Sequence, residues 1–240
     1  NVLGDVYTFH STWGIFSPEA VDEGSRLLLE HVEFKPTDNC LDVGCGYGVL
    51  GMVCAKKAPQ GTSVLLDKDF VAVDYARKNC AFNGLNNTEI ILSNGFSAVG
   101  DRKFDVILSN LPAKVSKEQH YLYLYDALQH LSEGGRFYVV TINGLRDFIS
   151  RTFKEVFGNY EKLKQGKTYT IAMYQKPCNS TINCQLGKNA CATRQKGCEV
   201  TPKGGFRKIW CCIAFRLTNS YIADCEGFET ALSCRTSERW

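Results

Sequence analysis

Long apolar runs are missing from this chain. Across its 240 residues no stretch approaches the roughly 18 apolar positions that a membrane helix needs, and the N-terminus lacks the charged-then-apolar pattern of a secretory leader. The resulting expectation is a cytoplasmic protein without a membrane partner. Histidine is scarce: His10, His31, His120 and His130 are the whole complement. They show no metal-ligand spacing, so no metal site is expected and each is read as a surface residue. An excess of one charge is also lacking over most of the length. Residues 1–176 carry 19 Lys and Arg against 20 Asp and Glu, which gives this stretch no bulk electrostatic footprint for nucleic acid. At 44% hydrophobic and 22% charged residues, collagen-like, low-complexity and wholly disordered chains are excluded. The first residue is Asn1, not Met, which implies processing or further residues upstream.

What is present divides near Pro177. Residues 177–240 carry 9 basic against 5 acidic residues, and 8 of the 12 cysteines lie from Cys178 onward. Between Asp38 and Lys176, short apolar runs alternate with amphipathic stretches, the pattern of strands buried on both faces and joined by crossover helices. Strands are expected at Cys40–Val43, Ser63–Leu66, Glu89–Leu92, Asp105–Ser109 and Arg136–Thr141, with a closing pair at Tyr160–Leu163 and Thr168–Tyr174. The four residues Lys164 to Lys167 cannot hold a crossover helix, so this last pair is an antiparallel hairpin. Helices are expected at Pro18–Val32, Val49–Ala58, Phe70–Asn83, Lys117–Leu131 and Gly144–Phe157, with Glu133-Gly134-Gly135 stopping the fourth. The fold class is therefore α/β, a doubly wound seven-stranded sheet complete by about Tyr174. At roughly 175 residues such a domain buries about 70% of its unfolded surface and needs no cross-links.

The segment Leu41-Asp42-Val43-Gly44-Cys45-Gly46-Tyr47-Gly48 stands where the first strand ends and a helix begins. Glycines there let a ligand approach the backbone, and the helix N-terminus adds partial positive charge. Gly46 to Gly51 also spells the GxGxxG dinucleotide pattern. Asp67, about 20 residues on at the end of the second strand, is placed to accept hydrogen bonds from a ribose diol.

An acid two residues before the first glycine, followed by glycines at alternate positions, resembles motif I of class I S-adenosylmethionine-dependent methyltransferases. The likeness extends through Trp13-Gly14-Ile15-Phe16-Ser17, Asp22-Glu23-Gly24-Ser25, Asp67, Ala76, Asn79, Asn83, Ser93-Asn94-Gly95-Phe96 and Phe104 to Asn110. Over residues 7–176 the chain is similar to the small-domain methyltransferases, the group that includes ribosomal RNA guanine 2-amino methyltransferases. The resemblance implies sheet order 3-2-1-4-5-7-6 with the last strand antiparallel, and S-adenosylmethionine as cofactor. It places cofactor contacts at Asp42, Gly44, Gly46, Gly48, Asp67, Asn94 and Phe96. It also implies that Asn110 and Pro112 hold the acceptor, through an Asn-Pro-Pro-aromatic segment in which the Asn side-chain oxygen takes a hydrogen of the target amine. Here that segment reads Asn110-Leu111-Pro112-Ala113, so the aromatic that stacks on a base must come from Trp13, Phe16 or Tyr121. Trp13 and Phe16 are otherwise expected in the core.

The implied activity is methyl transfer to an amine, with an RNA base as the leading acceptor. A small molecule, a protein side chain, or cofactor binding without catalysis are the alternatives, and a nicotinamide-dependent oxidoreductase ranks last. The domain is expected at 1–176 and a cysteine-rich basic tail at 177–240. No cysteines in that tail have zinc-knuckle spacing, and its even cysteine count would suit disulfides only in an oxidising compartment. The tail is read as poorly folded or foreign to the domain, with a nucleic-acid-contacting arm as the other reading.

Overall fold

Four consecutive buried residues, Cys40–Val43, form β1 near the middle of a seven-stranded sheet in a computed structural model that describes residues 1–178. Nearly all of the expected tail therefore lies outside the described residues. The other strands are β2 (Ser63–Asp67), β3 (Thr88–Leu92), β4 (Phe104–Asn110), β5 (Leu131–Ile142), β6 (Glu161–Gln165) and β7 (Tyr169–Gln175), in the order β3-β2-β1-β4-β5-β7-β6. β1 to β5 pair in parallel, while β7 runs antiparallel to both β5 and β6. The fold class and sheet order are those expected.

Alternation along the strands sorts the core into two layers. Leu41, Val43, Val64, Leu66 and Ile107 face one layer, whereas Cys40, Leu65, Val106 and Leu108 face the other. The first is covered by α4 (Lys117–His130) and α5 (Arg146–Phe157) through Leu124, Ala127, Ile149, Phe153 and Phe157. The second is covered by α1 (Glu23–Leu29), α2 (Val49–Lys57) and α3 (Phe70–Phe82) through Leu28, Leu29, Met52, Val53, Ala76 and Cys80. Helices on both faces explain why the central strands are apolar without a solvent side.

Several boundaries differ from expectation. α1 begins at Glu23, not Pro18, because the Asp22 side chain accepts the Ser25 N–H at 2.9 Å and caps the helix there. α4 ends at His130 and β5 starts directly at Leu131, so Gly134 and Gly135 do not stop a helix. They lie inside β5, where the register against β4 shifts and Gly134 takes φ +74°. The pair forms a strand irregularity held by Gly134 N–H to Lys176 O (3.1 Å) and Lys176 N–H to Gly135 O (2.8 Å). A 3-10 turn at Asn143–Leu145 also precedes α5, where one continuous helix from Gly144 was expected.

Candidate active site

A cavity of about 600 Å³ opens at the carboxyl ends of β1, β2 and β4, where the strand order reverses and open α/β sheets bind their ligands. One wall is the glycine turn. Gly44 and Cys45 donate to Leu66 O at 2.8 and 2.9 Å, and Gly48 closes the turn onto Cys45 O at 2.9 Å. Gly44, at φ +78°, has open space where a Cβ would project, which leaves room for a ligand against the backbone. Gly48 is behind the wall. At φ +99° its place is fixed by packing, since a Cβ would sit 3.2 Å from Leu65 and 3.4 Å from Ala76.

Val49 and Leu50, the first residues of α2, line the cavity, and no side chain caps that helix start. Their N–H groups have no intrahelical partners and, with the helix dipole, favour an anion. Asp67 faces them from the end of β2. Its Oδ2 accepts the Gly46 N–H at 2.8 Å and its Oδ1 accepts the Asp69 N–H at 3.0 Å. A carboxylate offers about four lone-pair positions, so two remain.

Besides Gly48, three expected cofactor residues, Asp42, Asn94 and Phe96, are not among those lining the cavity. Asp42 is fully buried and accepts the Gly51 N–H at 2.8 Å through Oδ2, while its Oδ1 has no partner. Burial pushes its carboxyl up to about 7, the nearby Asp67 adds to the rise, and the Gly51 N–H opposes it. Asp42 is thus a brace for the turn. Asn94 is exposed and accepts the Ser97 N–H at its carbonyl. Phe96 packs in the core, stacked on His130 at 5.0 Å. Ser93, Gly95 and Tyr123 line the wall in their place. Cys45 also lines it, but burial raises its thiol well above the ordinary range, which leaves it protonated.

The opposite wall begins where β4 ends. Ser109 donates to Val43 O at 2.9 Å and ties this strand end to the glycine turn, and Leu111 N–H extends the ladder to Val140 O at 3.0 Å. Asn110, Leu111, Pro112, Ala113 and Lys114 all line the cavity. The Asn110 Nδ2 donates to Asp22 Oδ2 at 2.9 Å and to Ser25 Oγ at 3.0 Å. His120, expected on the surface, is buried beneath this segment because its ring nitrogens face Pro112 O and Ser116 O, each at 3.1 Å.

Trp13 and Phe16 are not core residues: they are 86% and 65% exposed, and Phe16 lines the cavity. The loop before the Asp22 cap carries them outward. Tyr121 turns away to bond Glu155 and meet the Phe148 ring edge. Asn79 and Asn83 act from a distance, gripping the backbone of His10 and Thr8 and so anchoring the N-terminal segment on α3.

Sequence reasoning missed the site roles of Asp22, Ser25, Tyr123 and Tyr169. One signal was available, since Asp-x-x-Ser before an apolar run is an N-cap pattern that places Asp22 at a helix start.

The family model "Methyltransferase small domain" matches residues 6–173. The chain is 34% identical over 168 residues to ribosomal RNA small subunit methyltransferase C of Pseudomonas syringae pv. syringae, covering 68% of this chain and 49% of that protein. It is 32% identical over 174 residues to the uncharacterized protein YbxB of Bacillus subtilis, covering 71% of this chain and 86% of that one. Among solved structures, a T. thermophilus 16S rRNA N2 methyltransferase in complex with AdoMet and guanosine superposes with a TM-score of 0.67 at 28% identity, covering 73% of this chain and 48% of that one. The chain spans about half the length of the ribosomal RNA methyltransferases it matches. With the sheet order, the turn after β1 and a family match across 6–173, the chain belongs to the methyltransferase small domain family.

Proposed function

We propose that residues 1–176 bind S-adenosylmethionine and transfer its methyl group to the exocyclic amine of an RNA base, with guanine in small-subunit ribosomal RNA as the leading substrate, in the cytoplasm. One observation carries the reading. The Asn110 amide stands in the same cavity as the glycine turn and Asp67, and both of its N–H groups are already committed. Its Oδ1 has no hydrogen-bond partner among the described residues and is left to accept from an incoming amine.

The cavity fits the cofactor. Its volume of about 600 Å³ is that of a small-molecule site, there is open space in front of Gly44, and the start of α2 is uncapped. When bound, S-adenosylmethionine supplies a methyl group already activated on a positively charged sulfur. Asp67 has lone pairs left for the two hydroxyls of a ribose, and the N–H groups of Val49 and Leu50 suit a carboxylate. Asn110 takes one amine hydrogen and so directs the nitrogen lone pair, and Phe16 offers the aromatic surface that Ala113 lacks. The protein's part is alignment within a site that limits water, an effect worth about 7–11 kcal/mol where measured in model reactions. Relatives named for ribosomal RNA methylation, and a neighbour solved with guanosine, support the RNA base as acceptor.

A second reading, methylation of a small molecule or protein, is favoured by Ala113 and by the balanced charge of residues 1–176. The two separate in one experiment, in which the full chain and isotope-labelled cofactor are incubated with small ribosomal subunits, free RNA and a protein extract, followed by nucleoside mass spectrometry. Label in N2-methylguanosine is the expected result. Label confined to protein or small molecules overturns the RNA reading, and cofactor binding without any label overturns catalysis.

A further inference from the structure

The Asn110 side chain can serve an amine only if its oxygen, not its NH₂, faces the cavity. An amide has two orientations of nearly equal shape, so something must choose between them. Three elements distant in sequence meet at the side chain that can make this choice. Asp22 Oδ2 accepts both the Ser25 N–H and the Asn110 Nδ2, each at 2.9 Å, and Asp22 Oδ1 accepts the Tyr169 hydroxyl at 3.0 Å. Turning the Asn110 amide over would set its oxygen against a carboxylate oxygen at that distance, acceptor against acceptor. Ser25 Oγ takes the second Nδ2 hydrogen at 3.0 Å, so the correct orientation spends both amide hydrogens on protein and leaves the oxygen over.

The chain also keeps a glycine in the first turn of α1 for this arrangement. A Cβ on Gly24 would lie 2.9 Å from Asp22 Oδ2 and 2.9 Å from two ring carbons of Tyr169. Any side chain there would push the Tyr169 ring off the start of α1 and displace the carboxylate that it anchors.

We infer that Asp22, anchored by Tyr169 and Ser25, is a positioning residue that fixes the Asn110 amide with its oxygen toward the acceptor amine. The inference rests on the proposed role of Asn110, and it applies to any amine acceptor.

The test uses the full chain and two readouts. In a ¹H–¹⁵N spectrum the Asn110 side-chain amide pair, identified by its loss in Asn110→Ala, should exchange slowly with water in the wild type and move to free-amide positions with fast exchange in Asp22→Ala. In turnover on small ribosomal subunits, Asp22→Ala should lower kcat about 10- to 30-fold, no more than loss of Asn110 itself does, with cofactor affinity unchanged. In an Asn110→Ala background the same change should cost nothing further. Asp22→Asn should recover most of the loss, because asparagine caps a helix as well and its oxygen can accept the Asn110 NH₂. Should Asp22→Ala not fold, Ser25→Ala leaves the cap in place and removes the partner of only one amide hydrogen, so it should free one of the two Asn110 amide signals, leave the other protected by Asp22, and lower kcat less. Unmoved Asn110 signals, or an equal loss of kcat with and without Asn110, would overturn the inference. If the wild type methylates no RNA, the proposed acceptor falls, while the amide signals still decide whether Asp22 sets the orientation.

Discussion

The two walls of the cavity are built differently. The cofactor wall is mostly backbone: a turn that needs glycine, a helix start left uncapped, and one carboxylate at the end of the adjacent strand, all between Gly44 and Asp67. The acceptor wall is mostly side chains brought from afar. Asn110 meets Asp22 across 88 positions and Ser25 across 85, and Tyr169 reaches Asp22 across 147. A wall made of backbone admits little variation in residue type. A wall made of contributed side chains can change its aromatic, as at Ala113, and still present an amide oxygen.

This contrast predicts that the walls fail separately. The largest effect is expected from Asp67→Ala, which removes the carboxylate that holds Gly46 and is proposed to receive the ribose. Loss of two charge-assisted hydrogen bonds should weaken cofactor binding by about 3 kcal/mol or more, roughly 100-fold, as read by calorimetric titration. Asn110→Ala should do the converse, lowering kcat by about 2 kcal/mol in barrier, near 30-fold, with cofactor affinity intact. If either substitution damages both quantities equally, the separation of the walls is wrong.

A different quantity, stability against pH, concerns Asp42, the brace behind the first wall. Its carboxyl is raised by burial to about 7, so between roughly pH 4 and 7 the folded chain holds a proton that the unfolded chain releases. Stability should therefore fall as pH rises through that window, by at most about 1.4 kcal/mol per pH unit from this group. In Asp42→Asn that part of the slope should vanish in denaturant titrations across the window. The smallest change is expected from Phe16→Ala. At 65% exposure the ring should contribute about 1 kcal/mol, the low end for base stacking, read as a higher KM for RNA with kcat unchanged.

The same contrast explains what the sequence revealed. Strand positions, hairpin, glycine turn and the place of Asp67 at a strand end were legible because their signals are local: apolar runs, a four-residue link, glycine spacing, and an acid one crossover later; the sheet order came from the family resemblance. The family resemblance implied Asp42 as a ligand contact, but a motif match does not show whether a buried carboxylate faces the cavity or, as here, the N–H of Gly51. Phe96 and Trp13 departed from their expected places for a related reason, since hydrophobicity does not tell core from surface: Phe96 is buried and Trp13 is exposed. The Asp22, Ser25 and Tyr169 cluster was illegible because no linear pattern joins positions so far apart. Gly134 and Gly135 carried a turn signal that chain order could not assign to a helix end or a strand irregularity.

The account rests on the turn after β1 holding a methyl donor with Asp67 as its ribose acceptor. Calorimetric titration of the full chain with S-adenosylmethionine, alongside Asp67→Ala and with NAD as a control ligand, tests this most directly. The account predicts binding of one equivalent by the wild type, severe weakening in the variant, and no heat with NAD. Absence of binding by the folded wild type, or equal affinity in Asp67→Ala, would contradict it.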